Sequence, residues 1–553
     1  MWRQVQRREK GAVGRTKIRL RLKNPAVYGK IHINIGVKFW KNRKKSYMGR
    51  VKYAARNILF GYLSNAVTGI LGIALQKIFI IKLGETLLGV NSTYTSILSV
   101  LSLAELGLGT AVNFSLYGPV ARGDQETVKA YMQFYKKAYR VIALVIAVVG
   151  LALVPFLKYI IKDPVGIDSN ADLIGYYLIF LFNTVSSYFV AYKYSLPNAE
   201  QKNYIQSNVL TLTKIATVLT QIALLLFMPN FYLYLLAAAA IELIQKIFAN
   251  AYLNRKYPLL KEKNVRKLTA EEFSDIRKKT GALVCHKVGD AARLQTDSII
   301  ITSFINVTMS GYVDNYNKVI NLIANFVNVI FNSVISSFGN LIATESDEKQ
   351  YEMFRVYRFF ASWIYGYSAV GFFLLLTPFI SWYYGGRFAL PAAVVGAILI
   401  DFYFKGERVV LSNYKTAAGV FEQDKFLPLV QGAVNLVLSV VLVQRIGLLG
   451  VYIGTIVSGL IANVIRPVII YRACFDRKAD SYFYDAFRYI GVSVLALAIC
   501  VLAGNLVLSS VSLFRMAAMA VLVTVVYNGI FLLFFGRTFE CRYLFGILKK
   551  RVK

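Results

Sequence analysis

About fourteen apolar stretches, each near the length that crosses a bilayer, dominate this sequence. A hydrocarbon core about 30 Å thick takes about 20 helical residues. Inside it every backbone N–H and C=O must be paired within the chain, so such stretches fold as helices. The spans run approximately over 56–82, 88–117, 137–160, 173–195, 206–228 and 230–252. After a polar interval come 281–306, 311–340, 355–384, 388–418, 426–444, 447–471, 486–508 and 513–536. Composition agrees: 56% of the 553 residues are hydrophobic and 17% are charged, where a soluble chain carries about a quarter charged residues. A soluble multidomain enzyme and a disordered chain are both excluded. No stretch reads as a cleavable signal peptide, so the first run is expected to stay as a spanning helix.

The formal net charge is +35, from 64 Lys+Arg against 29 Asp+Glu. Such an excess serves either nucleic-acid binding or the cytoplasmic loops of a membrane protein, and the positions of the charges decide. With the N-terminus in the cytoplasm and the spans alternating, the inside connections take most of them. Arg122, Lys129, Lys136, Lys137 and Arg140 form one cluster, and Arg255, Lys256, Lys261, Lys263, Arg266, Lys267, Arg277, Lys278 and Lys279 fill the 253–280 connection. Arg466, Arg472, Arg477, Lys478 and Arg488 follow the twelfth span, and Lys549, Lys550, Arg551 and Lys553 end the chain. The outside connections hold only Lys82, Lys158, Lys162, Arg387, Arg445 and Arg515. This is the positive-inside asymmetry. It places both termini in the cytoplasm and removes nucleic acid as the partner.

Residues 1–55 are expected to be a basic cytoplasmic extension: the first 47 carry 15 Lys+Arg and one acid, Glu9. A polybasic arm on anionic lipid, a disordered extension, and translation starting at Met48 all fit this segment. A repeat at an offset of 222 residues relates Gly89 and Tyr94 to Gly311 and Tyr316, and Ser115, Ala121 and Tyr135 to Ser337, Ala343 and Tyr357. It divides the chain into a six-helix bundle over 56–252, a basic linker over 253–280, a second six-helix bundle over 281–475, and two helices with a basic tail over 476–553. Six is even, so the repeat is parallel, and a substrate site is expected between the halves.

Ionisable groups inside a span cost about 2.5–3.5 kcal/mol each on insertion scales, so they face partners or a wet cavity. His286, Asp290, Arg293 and Asp297 lie 4, 3 and 4 residues apart on the seventh span, beside Lys287. That spacing predicts one charged helical face about 16 Å long. The tenth span carries Asp401, Lys405 and Arg408, with Glu407 and Lys415 nearby; the eighth carries Asp314 and Lys318. The first half adds Arg56, Lys77, Glu105, Lys214, Glu242 and Lys246. Buried ion pairs between helices are one reading. A hydrated, mixed-charge chamber with a cationic surplus, suited to a phosphate or pyrophosphate headgroup, is the other. Glu105-Leu-Gly-Leu-Gly109, Pro378 and Gly385-Gly386 mark hinges or close helix packing. Tyr94 and Tyr316 are candidates for stacking on sugars. Cys285, Cys474, Cys500 and Cys541 lack metal spacing and read as small buried hydrophobes, and two histidines, His32 and His286, leave no His-based zinc site. No cofactor is implied.

Walker A and GxSxG patterns are absent, and a GxGxxG reading of Gly107-Leu-Gly109 fails at Val112. The outside connections are short, against an integral-membrane glycan polymerase or transferase. The segments Leu83-Gly-Glu-Thr-Leu-Leu-Gly-Val-Asn, Leu103-Ala-Glu-Leu-Gly-Leu-Gly-Thr-Ala, Pro119-Val-Ala-Arg-Gly-Asp and Thr296-Asp-Ser-Ile-Ile-Ile leading to Gly311-Tyr resemble the polysaccharide repeat-unit (Wzx-type) flippases of the multidrug/oligosaccharidyl-lipid/polysaccharide exporter superfamily. The resemblance covers the first three and the seventh and eighth spans, and the fourteen-helix layout. It implies an all-α integral membrane fold (MATE-like), a V-shaped pair of pseudo-symmetric six-helix bundles plus two C-terminal helices. It also implies transfer of an undecaprenyl-pyrophosphate-linked oligosaccharide across the bacterial cytoplasmic membrane, with no enzymatic step, for capsule or exopolysaccharide assembly. Arg293, Lys287, Lys318, Lys405, Arg408 and Lys214 are the expected substrate-binding cations. Asp290, Asp297, Asp401 and Glu105 are the expected supporting acids, with proton or sodium coupling. The polymerase and glycosyltransferases of the same pathway are the expected partners. A lipid II flippase and a cation-coupled multidrug exporter are the alternatives.

Overall fold

The computed structural model describes residues 64–552, apart from 106, 163–166, 168, 201, 203, 263, 333, 421–422 and 508–511. The basic extension over 1–55 and Arg56 lie outside the described residues. All regular structure among the described residues is helical. The helical passages are α1 (Ser64–Leu83), α2 (Glu85–Leu101 and Leu108–Arg122), α3 (Gln125–Leu153), α4 (Asn170–Ala191), α5 (Tyr204–Phe227), α6 (Phe231–Lys256) and α7 (Ala270–Leu294 and Thr296–Phe304). Then come α8 (Val307–Asn332, with Ile335–Thr344 after it), α9 (Asp347–Tyr383), α10 (Ala392–Ala418), α11 (Leu427–Ile446), α12 (Leu448–Ile470), α13 (Asp480–Val507), α14 (Leu513–Phe535) and α15 (Phe539–Val552). The last, a short charged helix in the basic tail, was not expected from the sequence.

Eleven of these helices are long and apolar enough to cross a membrane, and the chain is a multi-pass membrane protein. The three transmembrane-length passages that fall short are α2, α7 and α10. Each fails for a visible reason. Helix α2 is cut by a tight turn at Ser102–Glu105 and by Gly107, whose φ of 74° is left-handed, a conformation glycine adopts without a Cβ clash. Helix α7 breaks at Gln295, and α10 carries five ionisable residues within its span.

The ends of the helices are written locally. Asp124 accepts from the Thr127 N–H (3.0 Å) at the start of α3. Thr269 and Glu272 form a reciprocal capping box at α7. Asn230 and Ser346 cap α6 and α9. Each satisfies an amide that the first turn leaves free.

The internal repeat has a physical seam. Thr86 and Thr308, 222 positions apart, place their hydroxyls 3.4 Å from each other. Gly89 and Gly311, also repeat-related, meet beside them. A Cβ on Gly89 would sit 1.9 Å from the Val307 carbonyl oxygen, and one on Gly311 would sit 2.9 Å from the Glu85 carbonyl oxygen. Helices α2 and α8 thus cross backbone to backbone, the approach that small residues permit in membranes. Tyr94 and Tyr316 are fully buried (0% exposed each), which corrects their reading as sugar platforms. The Tyr94 hydroxyl donates to the Leu173 carbonyl (2.8 Å), and the Tyr316 hydroxyl accepts from the Leu390 N–H (2.9 Å). They pin α2 to α4, and α8 to the segment entering α10.

A second glycine crossing sets α7 on α11. A Cβ on Gly289 would lie 2.1 Å from the Pro428 carbonyl carbon, and one on Gly432 would lie 2.7 Å from Ala292 Cβ. Helix α12 packs against both α10 and α11. Helices α13 and α14 pack on α9 through an aromatic seam where Trp363 stacks on Phe531 with centroids 5.2 Å apart. Large apolar side chains such as Val141, Leu144 and Val148 on α3, and Val521 and Leu533 on α14, remain exposed, as faces turned to acyl chains require.

Candidate functional site

The α7 break brings its charged residues together by a different route from a continuous stripe. Helix α7 ends at Leu294, Gln295 adopts φ −111° and ψ −12°, and a new helix starts at Thr296. Arg293 and Asp297 flank this break, and both turn to the same interior space. The side chains of His286, Lys287 and Asp290 lie outside the described residues.

Arg293 Nη2–H donates to Asp401 Oδ1 at 2.7 Å, and Arg408 Nη2–H donates to the same oxygen at 2.7 Å. Arg408 Nη1–H also donates to Asn463 Oδ1 (3.1 Å). Thr455 on α12 joins the cluster: its hydroxyl donates to Asp297 Oδ2 (3.0 Å) and accepts from Asn435 Nδ2–H on α11 (3.0 Å). Two guanidiniums and two carboxylates thus balance. Both arginines are largely buried, at 8% and 7% exposed, where a lone cation would be costly. Gly459 leaves room for the two guanidiniums. A Cβ there would fall 2.6 Å from Arg408 Nη1 and 2.7 Å from Arg293 Nη2. Sequence reasoning missed Thr455, Gly459, Asn435 and Asn463. The two amides were the detectable signal, since each interrupts an otherwise apolar run.

Above this cluster lies a cavity of about 830 Å³, within the range of small-molecule sites. Its wall comes from both repeats: α1, α2, α4, α5 and α6 on one side, and α7, α8, α10 and α12 on the other. Its charged lining consists of Lys214, Arg293, Lys318 and Lys405 with Glu242, Asp297, Asp314 and Asp401. Four cations face four carboxylates, so the expected cationic surplus is not present in the described lining. The cause is orientation. Lys246 does not line the cavity: it donates to Asn183 Oδ1 (2.6 Å) and Ser186 Oγ (2.9 Å) on α4 and lies 3.8 Å from Glu242, which accepts from Asn183 Nδ2 (2.7 Å) and does line the wall. Lys77 swings over the Tyr383 ring at 4.3 Å, and Arg408 is held beneath the floor.

The cations are not equivalent. Arg293 is paired to Asp401, and Lys318 lies 3.6 Å from Asp314. Lys214 on α5 and Lys405 on α10 line the cavity and have no ion-pair or hydrogen-bond partner among the described residues. Glu105 does not line it. Its carboxylate accepts from the Tyr139 hydroxyl beside Tyr135, at the α2 break. Glu407 also points elsewhere, to Arg358 on α9 (2.9 Å) and Tyr482 on α13 (2.8 Å). Lys415 pairs with Asp424 (2.7 Å), which Arg466 also meets (3.1 Å).

At one end the repeats are tied over the cavity: Arg387 meets Glu85 at 3.2 Å, and the Tyr312 hydroxyl donates to Glu85 Oε1 at 3.2 Å. At the other end, Ser115 on α2 donates to Asp275 on α7 (3.2 Å). Outside the spans, Arg266 in the α6–α7 connection forks onto Glu272 (2.8 and 2.7 Å) and donates to Thr127 on α3 (2.8 Å). This guanidinium holds the Glu272 carboxyl down to about 2.

No protein-family model matches the sequence, and no curated protein does. Among solved structures, the chain is similar to the lipid II flippase MurJ in an inward closed conformation. That match has TM-score 0.62 and 13% identity, covering 86% of this chain and 99% of that one. It is also similar to a multidrug resistance MATE family transporter of the MOP superfamily in an inward-facing conformation, with TM-score 0.57 and 13% identity over 72% of this chain and 92% of that one. A mutant of the Vibrio cholerae MATE transporter VcmN matches with TM-score 0.53 and 15% identity over 75% of this chain and 95% of that one. The chain therefore has the fold of these transporters.

Proposed function

We propose that the chain is a flippase, not an enzyme, that moves an undecaprenyl-pyrophosphate-linked oligosaccharide repeat unit across the bacterial cytoplasmic membrane by alternating access. The observation that carries this reading is the cavity between the repeats, with the unpaired ammonium groups of Lys214 on one wall and Lys405 on the other. A pyrophosphate is a compact multivalent anion. Bridging it between the two walls gives a binding energy that depends on how the walls stand to each other, and only such a differential affinity shifts one conformation toward another. Lys318, held loosely by Asp314, is a third cation in reach of the same space. Arg293 and Arg408 serve differently here: both are committed to Asp401 and build a rigid floor. The prenyl tail stays in lipid while the headgroup crosses. Asp297 Oδ1 is buried without a hydrogen-bond partner, which makes Asp297 the acid to take a proton or a sodium ion on the return step.

Lipid II is the second reading, favoured by one observation. The flippase likeness extends over 86% of the chain, while the two MATE likenesses reach 72% and 75%. The extra share favours a lipid-linked substrate over a drug. Depleting the protein and identifying the lipid-linked precursor that accumulates separates the two. Reconstitution in liposomes with a fluorescent lipid-linked oligosaccharide then tests transport. The reading expects leaflet exchange that falls when Lys214 and Lys405 are both changed to Gln. Exchange equal to empty liposomes overturns it, and glycosidic-bond formation by the purified protein would establish a polymerase instead.

A further inference from the structure

The end of the bundle where α6 leads into α7 contains a second cationic site, separate from the cavity and independent of the transport reading. Lys193 sits in the tight turn Tyr192–Tyr194 that follows α4 and is buried, 5% exposed. A buried ammonium normally takes a carboxylate partner. Among the described residues this one donates only to neutral amides, the side-chain oxygens of Asn250 and, at 2.6 Å, Asn254, both on α6. The groups that face it electrostatically are more cations: Lys136 from α3 and Lys261 from the short turn Pro258–Lys261. Arg140, one helical turn beyond Lys136, faces the adjoining Tyr192. The elements that carry these residues pack on one another: α3 meets both turns, and α6 meets both as well.

The neighbouring acids are already engaged. Glu126 and Glu262 both hold Lys129 (3.0 and 2.8 Å), and Glu200 holds Lys202 (2.6 Å) while accepting from the Tyr257 hydroxyl. Lys136, Arg140 and Lys261 have no ion pair among the described residues. The site thus has three lysines and an arginine around two amides and, among the described residues, no acid of its own to balance them.

We infer that Lys193, Lys136 and Lys261 form a binding site for a phosphate-type anion. Depth points to where the anion comes from. Helix α4 has run 22 residues when it reaches Tyr192, and Asn250 and Asn254 occupy the last two turns of the 26-residue α6. About 20 residues span the hydrocarbon core, so the site stands at headgroup level. The phosphodiester of an anionic phospholipid and free inorganic phosphate present the same chemistry there, and the amides of Asn250 and Asn254 fix the Lys193 ammonium toward it.

The test uses the purified full-length chain. Delipidated protein is titrated with phosphatidylglycerol, read by native mass spectrometry, and in a second arm with inorganic phosphate in detergent, read by thermal unfolding midpoint. The variants are Lys193→Gln and, because loss of a buried lysine can impair folding, the pair Lys136→Gln/Lys261→Gln, half-buried and exposed respectively. Lys267→Gln/Lys278→Gln removes equal charge from the α6–α7 connection and the start of α7 as a control. At the strength of a lysine near an anionic surface, removing two should weaken apparent binding about 30-fold. Binding in the phosphatidylglycerol arm alone identifies a headgroup, and binding in the phosphate arm identifies a free anion; either supports the site. Equal binding by wild type and Lys136→Gln/Lys261→Gln in both arms, or an equal loss in the control pair, overturns it.

Discussion

Replacing Asp401 with Asn separates the floor of the cavity from its ligands. The Asp401 carboxylate accepts from Arg293 and Arg408 at 2.7 Å each, and both guanidiniums are largely buried. An amide is nearly isosteric but neutral, so the change leaves two like charges facing each other over Gly459. Removing one partner of a buried pair costs about 3–5 kcal/mol. Here one carboxylate serves two cations, and Thr455 and Asn463 can retain part of the hydrogen bonding, so the expected loss for Asp401→Asn is about 3–5 kcal/mol and not twice that. Lys405→Gln, one helical turn away on α10, removes an unpaired cation and should change stability by less than about 0.5 kcal/mol. The assay is a double-mutant cycle of Asp401→Asn and Arg408→Gln on purified protein, read by thermal unfolding in detergent at fixed lipid content. Removing Arg408 as well relieves the repulsion, so the double variant should be more stable than Asp401→Asn alone. An Asp401→Asn protein as stable as Lys405→Gln, or a double variant showing purely additive losses, would refute the paired-floor reasoning.

Gly459→Ala should destabilise the protein and displace the floor, because its Cβ would meet both guanidiniums below 3 Å; thermal midpoints of Gly459→Ala and wild type check this. Gly89→Ala should be worse than Gly72→Ala, since its Cβ lands 1.9 Å from a backbone oxygen and that of Gly72 meets open space; membrane abundance of the folded protein reports the difference. Glu407→Gln leaves Arg358 buried and uncompensated, with an expected loss of about 3–5 kcal/mol and faster hydrogen exchange in α13; changing Arg358 to Met in the same chain should restore most of it. The Arg266–Glu272 clasp lowers the Glu272 pKa from 4.5 to about 2. Its contribution is therefore complete above 4.5 and lost as pH falls through 2. Limited proteolysis of the α6–α7 connection should be constant from pH 8 to about 5 and increase only toward pH 2; cleavage rising between pH 7 and 6 would contradict this.

Much of the fold was legible because membrane burial writes it in long apolar runs. Every span read from the sequence corresponds to a helical passage, and even the interruption at Glu105–Gly109 is present as the α2 break. The repeat was legible from Gly89 and Gly311 because a backbone crossing accepts only glycine. What spacing could not show was which way a charged side chain turns. Glu242 and Lys246 occupy one helical face four residues apart and both bond Asn183 on α4, yet only the acid also lines the cavity. Lys405, Glu407 and Arg408 are nearly consecutive, yet they serve the cavity, α13 and the floor respectively. The α7 break was also hidden, since Gln295 carries no proline or glycine to announce it. Thr455 and Gly459 were hidden because a threonine and a glycine in an apolar run read as packing residues.

The sorting of cations is the step that joins fold to chemistry. On the proposed transport reading the cargo must be bound and then let go, so a chamber of wholly free cations would hold a pyrophosphate too firmly for the next step. In this chain the arginines, with their fixed forks, are committed to Asp401 and shape the site, while the flexible lysines are left to meet an anion. Helix α10 carries both kinds of group and is held on its far side by Arg358 and Tyr482 through Glu407. On that reading, a displacement of Lys405 by bound anion pulls on a helix whose opposite face is fastened to α9 and α13. The first of the two C-terminal spans is thus linked to the cavity: the same helix that presents the Lys405 ammonium to the cavity bears the buried carboxylate that ties α13 to the bundle.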